Sequence, residues 1–155
     1  MPYVKEDLPY HDSMEKSAPT RVIIAIGSNH HANKAMKMGR QHLCRLLTDA
    51  RHADIIETEA IGIPSGPFLN SLTAGYTDLG LSDLTARLKE IERCCGDRRE
   101  LRREHQIVLD LDLLLYGEQR LHLSDWERPY IQALFDDLSR STTPDTSSTP
   151  SSNQL

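Results

Sequence analysis

Asp110 and Asp112 stand two residues apart in Val108-Leu109-Asp110-Leu111-Asp112-Leu113-Leu114-Leu115, where every other residue is aliphatic. Such a run reads as a buried strand. Side chains alternate faces along a strand, so positions i and i+2 point the same way, roughly 7 Å apart. Two carboxylates projecting together from an oily element are costly unless something positive neutralises them. A divalent cation with oxygen ligands would do so, and magnesium held by carboxylates commonly also holds phosphate. Nearby arginines, or water at a strand end, would serve as well, and the strand alone does not decide between them. Just before it lie Arg93, Arg98, Arg99, Arg102 and Arg103, diluted by Asp97, Glu100 and Glu104. That stretch reads as a solvated, ion-paired helix end or as an anion-binding loop, and its place ahead of the aspartates favours the loop.

The elements that must position these groups follow from periodicity. Arg21 to Ile26 is a β-branched run that enters a turn at Gly27-Ser28-Asn29. Apolar positions from about Ala32 to Ala50 suit an amphipathic helix. Ala53 to Thr58 reads as a second strand, Ile61 to Pro67 as a Gly/Pro loop, and Phe68 to Thr77 as a third strand. Ser82 is an expected N-cap, with Leu84, Leu88 and Ile91 at helical spacing and Gly96 as the stop. Gln106 to Tyr116 forms the fourth strand, ended by Gly117, and Glu127 to Leu138 a final short helix. The order strand, helix, strand, strand, helix, strand predicts an α+β, ferredoxin-like βαββαβ fold. It has one antiparallel sheet with helices packed on one face.

At 155 residues the chain fits one domain plus tails. Residues 1–20 are polar and mixed, expected to be flexible, with neither a signal peptide nor a membrane span. Residues 139–155 are mostly Ser, Thr and Pro and predict a disordered tail. The folded domain is placed at 21–138. A net charge of −5 argues against a general nucleic-acid binder, which needs a basic face. Cys44, Cys94 and Cys95 are odd in number and contain no CxxC, so neither a disulfide framework nor a zinc site is expected, as befits a reducing cytosol. His30 and His31 read as a solvated pair in a polar loop.

Three motifs in this order carry a resemblance: Ala25-Ile26-Gly27-Ser28-Asn29, then Phe68-Leu69-Asn70, then Leu109-Asp110-Leu111-Asp112-Leu113-Leu114-Leu115-Tyr116-Gly117. Together, over roughly Val22 to Leu138, they resemble 6-hydroxymethyl-7,8-dihydropterin pyrophosphokinase of folate biosynthesis. That family moves a pyrophosphoryl group from ATP to the pterin hydroxymethyl oxygen and releases AMP. The resemblance implies that Asp110 and Asp112 are catalytic and hold two Mg²⁺ ions bridging the ATP phosphates. It implies that Asn70 hydrogen-bonds the pterin ring and that Phe68 and Tyr130 line its pocket. Glu92, Arg99, Arg103, Leu113 and Arg128 fall on nucleotide-binding positions, with Arg99 also among the catalytic ones, and Gly27-Ser28-Asn29 shapes a turn. The implied small-molecule substrates are ATP and the hydroxymethyl dihydropterin. Expected besides are a cytoplasmic location, a monomer, and neither nucleic acid nor membrane as partner.

The chain departs from the family pattern at several places. Ile107, preceded by Gln106, stands where the family carries arginine after proline. Glu104 replaces a loop tryptophan, and Asp97 falls on a loop arginine. A Pro-His pair expected between Gly117 and Arg128 is missing, and His122 is not given its role. These losses motivate a second reading, a degenerate relative that binds pterin or nucleotide as a sensor or partner subunit. A third is an RNA-binding module, since RRM domains share the element order. Those carry aromatics on their central strands, where this chain has Ile24, Ile26, Asp110 and Asp112.

Overall fold

A computed structural model describes residues 18–140, and the expectations for the tails concern almost wholly residues outside that span. The elements in order are β1 (Thr20–Ser28), α1 (Ala32–Leu46), β2 (Thr48–His52), β3 (Ile56–Thr58), β4 (Phe68–Thr77) and α2 (Leu81–Cys94). There follow α3 (Arg99–Arg103), β5 (Asp110–Tyr116), β6 (Gln119–Arg120), α4 (Leu123–Trp126) and α5 (Pro129–Arg140). The six strands form one antiparallel sheet in the order β2-β4-β1-β5-β6, with β3 also on the outer edge of β4. This is the expected α+β arrangement of ferredoxin type.

The central strand β1 is buried on both faces, which explains why its sequence runs Val22-Ile23-Ile24-Ala25-Ile26 instead of alternating with polar residues. Val22, Ile24 and Ile26 pack with Met36 and Leu43 of α1, with Leu84, Leu88 and Ile91 of α2, and with Leu111 and Leu113 of β5. Ile23 faces the other way, among Leu72 and Ala74 of β4, Leu114 and Leu115 of β5, and Ile131, Leu134 and Leu138 of α5. Both crossover helices therefore share one face, as expected, and the C-terminal helix adds a layer on the opposite face. A register shift between Ile23 and Ile24 skips Leu114 in the pairing of β1 with β5. The bulge lets Leu114 and Leu115 join the same apolar cluster. Trp126 completes that cluster, donating from Nε1 to Leu114 O at 3.0 Å and meeting Phe135 edge-on at 5.5 Å.

Four local differences from the sequence expectations have physical reasons. Helix α1 stops at Leu46 rather than near Ala50, because Thr48–His52 pairs with β4 as an edge strand, with a register shift and a positive φ of 55° at Asp49. Of the strand expected over Ala53–Thr58 only Ile56–Thr58 forms, and the other short strand lies before it at Thr48–His52. Helix α2 begins after Gly80, with no side-chain cap from Ser82. The arginine-rich stretch contains its own short helix, α3. Lastly, α5 starts at Pro129, whose ring suits a first helical turn, and it runs through Ser139 and Arg140.

Close packing of the junction between α1 and β2 against β4 depends on Gly75. A Cβ there would stand 3.0 Å from Leu47 Cβ and 3.2 Å from Thr48 O. Gly75→Ala should cost about 1–3 kcal/mol, read as a lower urea midpoint at unchanged slope. His52 supplies a pH-dependent contribution. Its Nδ1 lies 2.7 Å from Thr73 Oγ1 and its Nε2 3.3 Å from Cys44 Sγ. Burial, reinforced by the Arg40 guanidinium, pushes this imidazole down to about 4. The unfolded chain takes up the proton near pH 6.5 and the folded chain only near 4, so protonation penalises the fold. This contribution should be full above about pH 6.5 and be lost toward pH 4. Denaturation midpoints across that range should drop less steeply in His52→Gln, and parallel curves would remove His52 as the cause.

Candidate active site

The sheet face that carries α5 also carries the aspartate pair. Asp110 is opposite Gly27 on β1, and Gly27 is opposite Asn70 on β4. One step along, Asp112 is opposite Ala25, and Ala25 is opposite Leu72. Strands lie about 4.8 Å apart, so Asp110 and Asn70 flank a strip roughly 10 Å wide. Its floor is Gly27 and Ala25, which project little or nothing. A Cβ on Gly27 would meet Asn70 Oδ1 at 3.1 Å and Phe68 Cδ2 at 3.9 Å. Phe68 and Asn70 thus lean over this floor from one side, and Asp110 and Asp112 stand on the other. Asn70 is buried, with its Nδ2 donating to Thr58 Oγ1 at 2.7 Å.

The aspartates crowd one another. Burial raises the Asp112 carboxyl to about 7, helped by the charge of Asp110, a hydrogen bond to it, and the charges of Asp125 and Glu92. Two like charges at this spacing share a proton or recruit a cation. The oxygen-only donor set and the excess negative charge fit magnesium. No group of three or more His, Cys, Asp or Glu suited to a metal occurs among the described residues. A magnesium ion here would therefore complete its six oxygens with water or a ligand's phosphate.

Of four further sequence-predicted residues on or beside the helical segments, Arg128 and Tyr130 come near the pair, and Arg99 and Arg103 line a separate concavity. Arg128 precedes α5 and donates from Nε to Asp125 Oδ1 at 3.2 Å. Tyr130, on the first turn of α5, is half-buried. Burial raises its phenol, Arg128 opposes the shift, and Asp125, Asp112 and Asp110 add to it. Arg99 and Arg103 are exposed on α3 and line a basic concavity of about 650 Å³ with Arg93, Arg98, Asp97 and Glu100. Neither of these two contacts Asp110 among the described residues. The arginine that does is Arg102, which the sequence placed in the arginine-rich stretch without a role of its own, and whose Nη2 lies 3.3 Å from Asp110 Oδ1.

Arg102 is part of a clamp on the entry to β5. Its Nε donates to Asp97 Oδ2 and its Nη2 to Leu109 O at 3.1 Å. Asp97 Oδ1 accepts from the amides of Val108 and Leu109 at 3.0 and 3.2 Å. Burial alone would lower the Arg102 pKa, but Asp97, Asp110 and Glu92 together raise it. From the other side Asn29 grips the same segment, donating from Nδ2 to His105 O at 2.8 Å and accepting from Ile107 N at 2.7 Å. The turn-shaping role expected of Gly27-Ser28-Asn29 thus has a concrete form.

Two expected nucleotide residues lie away from the aspartate face. Leu113 is buried among the residues under α1 and α2, so its side chain is core and only its backbone is available to a ligand. Glu92 is also buried, with Oε2 accepting from Leu111 N at 2.8 Å. Burial raises its pKa, the Leu111 amide opposes the rise, and Asp110 adds to it. Asp97 and Arg102 were missed as a pair because five residues separate them across a helix boundary. The available signal was an acid followed at i+5 by a base, which no single helical or strand period brings together.

A model of the family described as 7,8-dihydro-6-hydroxymethylpterin-pyrophosphokinase matches residues 23–140. The mitochondrial folate synthesis bifunctional protein of Pisum sativum is 35% identical over 131 residues, covering 76% of this chain and 25% of the relative. A folate synthesis bifunctional protein of Arabidopsis thaliana is 34% identical over 140 residues, covering 81% and 28%. That of Chlamydia caviae is 32% identical over 90 residues, covering 54% and 20%. The chain spans about a quarter of the length of these curated relatives.

Because Asp97 satisfies two buried amides and a guanidinium, Asp97→Ala should cost about 3–5 kcal/mol. Chemical denaturation would measure this, and a loss below about 1 kcal/mol would mean the clamp is dispensable to the fold.

Proposed function

The chain belongs to the 7,8-dihydro-6-hydroxymethylpterin-pyrophosphokinase family, and from that premise we propose that it transfers pyrophosphate from ATP to 6-hydroxymethyl-7,8-dihydropterin, giving AMP, as a step of folate biosynthesis. The family is one of ATP-dependent pyrophosphokinases that use magnesium. The observation that carries the reading is the strip floored by Gly27 and Ala25, with a carboxylate pair on one side and an aromatic and an amide on the other.

In this reading the strip takes the two substrates side by side. Asn70 offers its amide to the polar edge of the pterin, and Phe68 and Tyr130 line the apolar surroundings of the ring. Asp110 and Asp112 would hold the magnesium, two ions in this reading, which would supply positive charge to offset that of the ATP phosphates. Arg99, Arg103 and Arg128 bind phosphate oxygens in forked pairs, Arg128 by exchanging Asp125 for the ligand. Glu92 and the backbone at Leu113 border the nucleotide from the far side of β5. The hydroxymethyl oxygen attacks the β-phosphorus, the bond to the α-phosphate oxygen breaks with AMP as leaving group, and the hydroxyl proton passes to water or phosphate. Little covalent help is required of the protein, since positioning and charge neutralisation dominate phosphoryl transfer.

The specific observation favouring a binding-only relative is that Asp97 is buried as an acceptor where the family pattern places an arginine. A monomer and a cytoplasmic location complete the proposal. No helix among the described residues is long and apolar enough to cross a membrane.

The test is AMP release from magnesium–ATP with and without the hydroxymethyl dihydropterin, in wild type and Asp110→Ala. Pterin-dependent AMP should fall at least about a thousandfold in the variant. Tight ligand binding with no AMP from folded wild type would establish the binding-only relative instead.

A further inference from the structure

We propose that Arg102 is a specificity-determining residue of this site: anchored by Asp97, it makes the aspartate pair prefer a cation arriving with a polyphosphate over the bare cation. The inference rests on the magnesium–ATP reading above.

The side chain is fastened, not free. Asp97, only 8% exposed, holds Arg102 Nε through Oδ2 and the start of the strand through Oδ1. Leu109 O takes an Nη2 hydrogen at 3.1 Å. Asp97 is itself tied to the amides of Val108 and Leu109, and Leu109 directly precedes Asp110, so the guanidinium keeps its place beside Asp110 whatever occupies the site. The contact to Asp110 is the longest of the set, 3.3 Å, and is the one a cation would replace.

A fixed positive charge beside one of two metal carboxylates acts with opposite sign on two ligands. It repels a bare divalent cation. It attracts the same cation when a triphosphate makes the complex negative, and its fork geometry suits phosphate oxygens. The site also lacks a third His, Cys, Asp or Glu positioned to complete a cage among the described residues, so the bare cation gains little that the phosphate-bound one lacks. A guanidinium that only stapled the strand would leave no such preference.

The test compares two affinities on the full chain. Mn²⁺ alone is titrated by electron paramagnetic resonance. Magnesium with a non-hydrolysable α,β-methylene ATP analogue is titrated by calorimetry. In Arg102→Gln, Mn²⁺ alone should bind about threefold tighter and the magnesium–analogue about tenfold weaker. Arg102→Lys keeps the charge without the fork, and the ratio of its two affinities should stay within about threefold of wild type. Both ligands weakening together in either variant would overturn the proposal and leave Arg102 a strand staple. If Arg102→Gln does not fold, Arg102→Met, which keeps the stem and removes the charge, takes its place with the same two shifts expected. Failure of the wild type to bind the magnesium–analogue would instead mark the magnesium–ATP reading as the one that fails.

Discussion

Asp97 accepts three hydrogen bonds where the chain enters β5, and the arrangement of the site depends on them. Strand β6 pairs only with Leu115 and Tyr116, so among the described residues the earlier part of β5 has no strand on its outer side. Carboxylates take the place of a neighbour: Asp97 for the amides of Val108 and Leu109, Glu92 for that of Leu111. A side-chain acceptor satisfies a strand amide without covering the strand, so the edge stays open while its polar groups are paired. The same carboxylate fixes Arg102, and Arg102 reaches Asp110. One buried acid therefore connects the geometry of the edge to the charge balance of the face.

That face is built differently from the other. On the side of α1 and α2 the branched aliphatics Val22, Ile24 and Ile26 fill the inward positions of β1, and the helices sit directly on them. On the opposite side the large residues Ile23 of β1 and Leu114 of β5 give way two positions along to Ala25 and Asp112, level with Leu72 of β4, and then to Gly27 and Asp110. The large residues anchor α5, and the small ones leave room for a ligand. Stability and binding thus divide along the length of β1, with the C-terminal helix bringing Tyr130 to the border between them. The register shift at Ile23/Ile24 sets both Leu114 and Leu115 toward α5 without disturbing the alternation that aims Asp110 and Asp112 together.

Much of this was legible from sequence because it rests on short-range periodicity. Strand β4 has the bounds its alternation implies, and Asp110 and Asp112 share a face because i and i+2 must. The order of the six principal elements sufficed for the fold class. What escaped depends on partners distant in the chain. Thr48–His52 has no apolar alternation and is a strand only because β4 offers it an edge. The side to which α5 docks is decided by where Ile23, Leu114 and Leu115 leave apolar surface. Leu113 carries a position in a motif, yet strand alternation commits its side chain to the core, and position alone did not reveal this.

The arginines show the same limit most sharply. Read by position, Asp97 and Ile107 are lost guanidinium groups, which leaves the site short of positive charge. In space the deficit is smaller. The turn of α3 carries Arg102 back over the start of β5, and the acid at Asp97 is what holds it there. An arginine at position 97 would have repelled that guanidinium, and one at 107 would sit on the segment that Asn29 now pins through its backbone amide. The acid at 97 and the base at 102 therefore form one unit. Because the two interact directly, the effects of changing them are expected not to add.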